Sequence, residues 1–348
     1  MYKKSAVLTF YAETPIHMGS GQSVSYVDLP IQRERHTSFP VLWSSGIKGV
    51  IRDLASRVWN DNDKDKVETI FGPEDGGSDF ASCISITDAK ILLYPVRSVK
   101  GVFAWITCPF VLKRFKEDLS AVGINFEYNN QDIRILDVRD DKVFIASNNL
   151  KIQGQNSVAF EEFVFEAEVK NEVKELAGFL KNFVHQNDLT KNLENHLAIV
   201  SDNVFKDFVN YAVEIRTRIR IDQTKGTVKE GALFSEELIP SESVFYSLIF
   251  ITDPYFGIEG DLYNELKSKK EKNEIPNWDD VKNRLKGNED TKRKILERLK
   301  KAWEEGYFRD DEVKGSLNFL NNSLLQLGGD ETTGKGYVRV KVFNGGQT

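Results

Sequence analysis

Apolar and polar positions change period several times along the chain. Ala6 to Tyr11 is β-rich and alternates only loosely, which predicts the first strand of a sheet. Residues 14 to 37, TPIHMGSGQSVSYVDLPIQRERHT, break all periodicity. Two prolines, Gly19-Ser20-Gly21 and the run Arg33-Glu34-Arg35-His36 leave little to bury. A long polar loop hung on a strand near an N-terminus is usually a site or a disordered segment, and we read it as a site. Helical spacing follows in FPVLWSSGIKGVIRDLASRVW, residues 39 to 59. Ile47, Val50, Ile51, Leu54 and Val58 fall on one face, and Ser44 and Ser45 are placed to cap it.

Residues 83 to 107, CISITDAKILLYPVRSVKGVFAWIT, give two β-rich runs flanking a basic turn, Pro95 to Gly101. Helix, strand, turn and strand in that order predict a ferredoxin-like α+β layout rather than a doubly wound parallel sheet. Val173, Leu176, Ala177, Leu180 and Val184 line one face of a helix expected over 171 to 185. Residues 211 to 240 predict a β-hairpin. Ile215, Ile219 and Ile221 alternate with Arg216, Arg218 and Arg220, giving an apolar face and an arginine face around the turn Gln223-Thr224-Lys225-Gly226. The charge-rich stretch 261 to 304 reads as a helical insertion, drawn generously as 255–315. A last helix, about 311 to 326, is expected to lead through LGGDETTGKG into a strand from Tyr337 to Phe343.

Composition narrows the class. The 348 residues, 40% hydrophobic and 29% charged, can bury the core of one elaborated domain or of two. No apolar run approaches the ~20 residues of a membrane helix, and the N-terminus lacks a signal-peptide apolar region. Cys83 and Cys108 alone make neither a disulfide framework nor a four-ligand zinc site, which points to a reducing, cytoplasmic setting. A net charge of −6 argues mildly against a nucleic-acid partner, but binding follows local basic surface rather than the total.

Several local basic features qualify. Lys48 and Arg52 sit four apart on the predicted helix, whose N-terminus can face a phosphate; the bland alternative is two solvated cations. Arg97, Ser98 and Lys100 on the turn beside Gly101 fit phosphate or an ordinary exposed hairpin. Arg216, Arg218 and Arg220 form an electrostatic footprint for a nucleic-acid backbone, or an edge strand defended by charge. Residues 329 to 335 match GxxxxGK, the start of a P-loop. Gly336 stands where a serine or threonine must ligate magnesium, however, and the segment leads into a strand rather than a helix, so nucleotide hydrolysis fails on both counts. The surviving physics is a phosphate cradle of backbone amides at Gly334 and Gly336 together with Lys335.

TPIHMGSG, VDLPIQRERHT, FGP at 71 to 73, ITDAKILLYPVRSVKGVFAWITCPFVL, RIRID and LGGDETTGKGYVRV together resemble the RAMP superfamily of CRISPR-associated proteins, and within it the repeated backbone subunit of the type III-B (Cmr) effector complex. The matches span both ends and the middle of the chain. The resemblance implies an RRM-like (ferredoxin-like) core over a single domain, 1–348, with a thumb-like β-hairpin at 211–236 and the helical insertion. It also implies stacked copies along a CRISPR RNA, other subunits of that complex, and cutting of complementary target RNA by each copy. The family's catalytic aspartate falls on Asp28, its PIHxGxG histidine on His17, its guide-contacting lysine on Lys48, and its acidic segment on Glu236 and Glu237. The lead-in to the lysine helix is Trp43-Ser44-Ser45-Gly46 here, where the family usually has proline-glycine-serine.

RNA brings its own nucleophile, the 2′-hydroxyl, so the chain needs to align it, move protons and stabilise charge. On this reading Asp28 binds a divalent cation, Mg²⁺ or Mn²⁺, or accepts the hydroxyl proton, while His17 protonates the leaving group or holds the phosphate. Glu236 and Glu237 serve the site or are merely solvated beside the thumb. Lys48, Arg52, Arg97, Lys100 and Lys335, as permanent cations, fit guide-backbone contact. A non-catalytic scaffold, a CRISPR RNA processing nuclease and a stand-alone phosphate-binding enzyme are the competing functions.

Overall fold

Strand β1, Lys4–Ala12, is buried from Ser5 to Ala12, which explains why its sequence alternates so weakly. It pairs antiparallel with both β14, Val244–Ile251, and the C-terminal strand β16, Tyr337–Asn344, so neither edge is free. A strand covered on both faces gains from apolar residues at every position, each worth about 1.5–3 kcal/mol when fully buried. The computed structural model describes residues 2–23, 26–59, 64–74, 81–221 and 228–344.

The remaining strands are β2 (Val41–Leu42), β3 (Ile84–Ile86), β4 (Ala89–Arg97), β5 (Phe103–Thr107), β6 (Glu127–Tyr128), β7 (Gln131–Asp132), β8 (Lys142–Ile145), β9 (Ser157–Phe160), β10 (Phe163–Val169), β11 (Leu197–Ile199), β12 (Glu214–Ile221), β13 (Val228–Leu238) and β15 (Leu324–Gln326). Twelve form one sheet in the order β15-β16-β1-β14-β4-β5-β11-β8-β10-β9, with β2 on β4 and β3 on β14. Its pairings are antiparallel except β5 with β11 and β8 with β10. The mixed sheet and its helices are the α+β class expected from the sequence. Strands β6 and β7 pair separately, and so do β12 and β13, which form the arginine hairpin.

Helix α1 runs Ser44–Val58 and buries Ile47, Ile51 and Ala55; Val58, expected on that face, is half exposed. Neither serine caps it. Trp43 occupies the cap position, and the carboxylate of Asp88 accepts from the Ser44 N–H at 2.7 Å. A carboxylate from outside the helix therefore satisfies the donor that was expected to meet a phosphate. The next helices are α2 (Lys64–Phe71), α3 (Pro109–Ala121) and α4 (Asn171–Leu180). Helix α4 ends short of the expected 185; Phe183 and Val184 still reach the core from the irregular turn beyond it. Helices α5 (Leu193–His196) and α6 (Asp202–Tyr211) precede the hairpin.

The charged insertion contains α7 (Gly260–Glu271), α8 (Trp278–Arg284), α9 (Glu289–Glu305) and α10 (Asp310–Ser316). Lys267 pins it to the sheet, bonding Asp253 at the end of β14 and Asp310 at the head of α10. Lys269 and Arg284 pair with Glu265, Lys282 with Glu289, and Arg293 and Lys294 with Asp290, so much of its basic charge is met internally. The helix expected over 311 to 326 stops at Ser316. A 3₁₀ turn over Leu317–Leu320 follows, then edge strand β15. The glycine loop thus joins two antiparallel strands rather than a helix and a strand. Cys83 and Cys108 are free and buried. Burial pushes the Cys83 thiol up to about 12, far from thiolate chemistry.

Candidate active site at the root of the hairpin

The last residues of β13 gather the two ends of the polar N-terminal loop. Ile16 and Ile239 exchange backbone hydrogen bonds, each 2.9 Å, which brings His17 alongside Glu237. Leu29 lies beside Glu236 in a parallel bridge, donating to the Ser235 carbonyl at 3.0 Å while its own carbonyl accepts from Glu237 N–H at 3.0 Å. Between those anchors the loop doubles back. Ser20 N–H donates to the Pro30 carbonyl, and Gln32 N–H to Met18. A loop that sequence periodicity leaves unassigned is therefore organised by backbone pairing with a strand some 200 residues further on.

Asp28 is exposed, and its Oδ2 accepts from both the backbone N–H (2.7 Å) and the hydroxyl (2.8 Å) of Ser235. Its own N–H returns a bond to that hydroxyl at 3.0 Å. The Ser235 amide, and then its hydroxyl, hold the Asp28 carboxyl below the usual carboxylate range. Oδ1 takes no hydrogen bond from another described residue, so one anionic oxygen faces outward.

His17 is buried, with Nδ1 2.8 Å from the Glu237 carbonyl. A carbonyl only accepts, so Nδ1 carries the proton and Nε2 is the nitrogen left for chemistry. Gly19 sits over Nε2, where a Cβ would come within 2.8 Å.

Glu237 and Glu236 are both buried in ion pairs. Glu237 meets Arg33 through one oxygen and accepts from Ile31 N–H at 2.9 Å through the other; Arg33 also donates to the carbonyls of Ser38 and Val209. Glu236 bonds Arg218 on the facing strand at 2.8 Å, and Arg218 also binds Asp330 of the glycine loop. Burial favours the neutral form of Asp330, but the Arg218 guanidinium outweighs it and holds that carboxyl down.

The glycine loop packs directly on the histidine segment. Gly329 N–H donates to the His17 carbonyl and Gly336 N–H to that of Pro15. Two glycines permit this packing, one against the histidine segment and one against the preceding strand's end. A Cβ on Gly328 would lie 2.2 Å from the His17 carbonyl oxygen, and one on Gly336 2.1 Å from that of Leu327, both at left-handed φ. Gly336→Ala is accordingly expected to cost about 3 kcal/mol of stability in denaturant unfolding. Gly329→Ala, whose Cβ would meet only ordinary contacts, is expected to unfold like the parent.

The expected phosphate ligands divide. The start of α1 adjoins the site, because Gly46 packs against Met18 and Gln32 bridges Gly19 to Trp43. Lys48 is half-buried and makes no ion pair among the described residues; burial pushes its ammonium down. Lys335 likewise has no ion pair among them. Arg52 is occupied by the Gly72 carbonyl at 2.6 Å. Arg97 ends β4 rather than lying in the turn, and it bonds Glu161 and Glu162. Ser98 bonds the Lys100 carbonyl, and their turn packs on Phe160 and Leu150, with no contact to His17 or Asp28 among the described residues. Arg216 pairs with Glu214. The Arg220 side chain and the expected turn, Gln223-Thr224-Lys225-Gly226, lie outside the described residues. The isoleucine face is not buried: Ile215, Ile219 and Ile221 are each more than half exposed.

Spacing in the sequence pointed to none of Ser235, Arg33, Asp330 or Asp88. Among the described residues no group of three or more His, Cys, Asp or Glu could cage a metal. No helix among them is long and apolar enough to cross a membrane.

Comparison with known proteins gives concordant matches. The RAMP superfamily matches residues 9–339. A Pyrococcus furiosus protein named CRISPR system Cmr endoribonuclease Cmr4 is 35% identical over 99% of both chains. The crystal structure of oligomeric Cmr4 from the same organism superposes with a TM-score of 0.64 at 29% identity, covering 99% of this chain and 100% of that one. A chain in a type III-B Cmr-beta complex bound to cognate target RNA gives 0.65 at 19% identity over 98% of each, a likeness of fold alone.

Proposed function

The chain belongs to the RAMP superfamily and, within it, to the Cmr4 family, and on that footing we propose that it is the repeated backbone subunit of a type III-B CRISPR effector complex. It binds the guide RNA, stacks with other copies of itself and with other subunits, and cuts complementary target RNA at regular intervals. The observation that carries this reading is the convergence of Asp28 and His17 on three consecutive residues of β13, Ser235 to Glu237, at the root of an arginine-bearing hairpin. The same reading puts the complex in the cytoplasm.

The division of labour follows from the contacts. The 2′-hydroxyl of the target attacks its own phosphate as the 5′-oxygen leaves, and the chain has to orient that phosphate and handle two protons. His17, with Nδ1–H committed to the Glu237 carbonyl, holds or passes a proton only at Nε2. Asp28, bound by two donors through Oδ2, is a weak base and a good anionic ligand through Oδ1. That oxygen would hold a hard cation, Mg²⁺ or Mn²⁺, although no group of three or more His, Cys, Asp or Glu among the described residues could cage one. Such an ion would neutralise charge building on the phosphate. Arg33 and Arg218 neutralise Glu237 and Glu236, which makes the glutamates struts of the site. Lys48 and Lys335, free of ion pairs among the described residues, are the cations best placed for guide phosphates.

Reconstitution tests the reading. Guide RNA, the other subunits and this chain are expected to cut a complementary RNA at evenly spaced positions. Loss of the pattern when this chain is left out supports the assignment, and cutting that persists without it overturns it.

A further inference from the structure

We propose that Ser235 is the positioning residue of the cleavage centre, turning and holding the Asp28 carboxylate through a closed ring of three hydrogen bonds. This rests on the reading of Asp28 as the group that works on the target phosphate.

The ring is unusually complete for an exposed carboxylate. Ser235 N–H and Oγ–H both point at one oxygen, Oδ2, at 2.7 and 2.8 Å. The same hydroxyl accepts from Asp28 N–H at 3.0 Å. Two donors on one oxygen stop the carboxylate from rotating about its terminal bond, which for a solvent-exposed aspartate is otherwise soft. The bond back from Asp28 N–H ties that carboxylate to its own backbone, and the Leu29 N–H bond to the Ser235 carbonyl fixes the register. Oδ1 is therefore presented in one direction. Ser235 itself is held by its pairing with Thr217 on β12, so its geometry comes from the hairpin rather than from the loop it orients. Alanine would keep the backbone donor but remove both hydroxyl bonds. Threonine would keep the hydroxyl on a side chain suited to a strand.

The experiment uses the reconstituted complex under single-turnover conditions, reading the cutting rate at saturating target and, separately, the target concentration giving half-maximal rate. Ser235→Ala is expected to slow cutting about tenfold, the size of one lost bond to a charged group, with the half-maximal concentration unchanged. Ser235→Thr is expected to cut within about threefold of the parent. Added to Asp28→Asn, Ser235→Ala should cause no further loss, since nothing remains to orient. The proposal is overturned if Ser235→Ala cuts at the parental rate, if threonine fails to restore cutting, or if the alanine effect lies wholly in target affinity. An inert Asp28→Asn beside a normal Ser235→Ala sinks this proposal alone. An Asp28→Asn that cuts normally sinks both it and the reading of Asp28 beneath it.

Discussion

Asp28→Asn is expected to lower target-RNA cutting by the reconstituted complex by about 10²–10⁴-fold while leaving guide and target binding intact. The two parts of that expectation have separate physical sources. Asparagine is nearly the same size as aspartate and keeps an oxygen that can accept from Ser235, so the loop should stay on β13. It removes the negative charge from the outward oxygen, and with it the means of holding a hard cation against a phosphate. If a divalent ion does work there, chelating it with EDTA should bring the parent down towards the variant's residual rate. The variant itself should respond little to EDTA or to added Mn²⁺. Gel shift of the assembled complex checks binding alongside. Unchanged cutting by the variant would mean that the chain shapes the guide–target duplex and that the chemistry lies elsewhere.

The second large effect is expected at His17, where two substitutions separate two jobs. His17→Asn places an amide near the position of Nδ1, so the bond to the Glu237 carbonyl can survive while Nε2 is lost. His17→Gln does the reverse. If proton handling at Nε2 is the essential role, asparagine should cost about 10²-fold or more in cutting rate with assembly and unfolding midpoint close to the parent's. If His17 mainly anchors the loop, asparagine should cut well, and glutamine should lower both activity and stability. The packing of Gly19 over Nε2 makes glutamine, the longer side chain, the more crowded of the two.

The sequence alone revealed different parts of this structure to different degrees, and the reasons are physical. Strand β1 and helix α1 were readable because a strand buried on both faces and a helix buried on one impose their own apolar spacing. The arginine hairpin was readable for a similar reason, although its isoleucines turned out to face solvent rather than a core. The end of α10 was misjudged because LNFLNNSLLQL keeps a helix-like apolar spacing while edge pairing with β16 claims Leu324–Gln326 as a strand. Propensity has no access to such a partner. Asp28 and His17 were found through the family resemblance, since an aspartate or histidine in a loop says little by itself. Their support was hidden altogether. Ser235, Arg33, Asp330 and Asp88 act across sheet register, which spacing along the chain does not encode. The same blindness made Arg97 look like a free cation, when Glu161 and Glu162 already bind it.

The order in which the chain is made bears on when it can act. The glycines that close over His17, and the strand β16 that completes the pairing of β1, are synthesised long after it. A nascent chain can form the hairpin and the insertion while its first strand still lacks one neighbour and its histidine segment lacks its cover. Because this closing contact joins segments 323 residues apart, as in the bond from Tyr337 N–H to the Thr14 hydroxyl, it belongs to the slow, high-separation class of folding events. The site is thus completed late in synthesis, and shorter nascent chains hold Asp28 and His17 without the glycine cover that packs on the histidine segment.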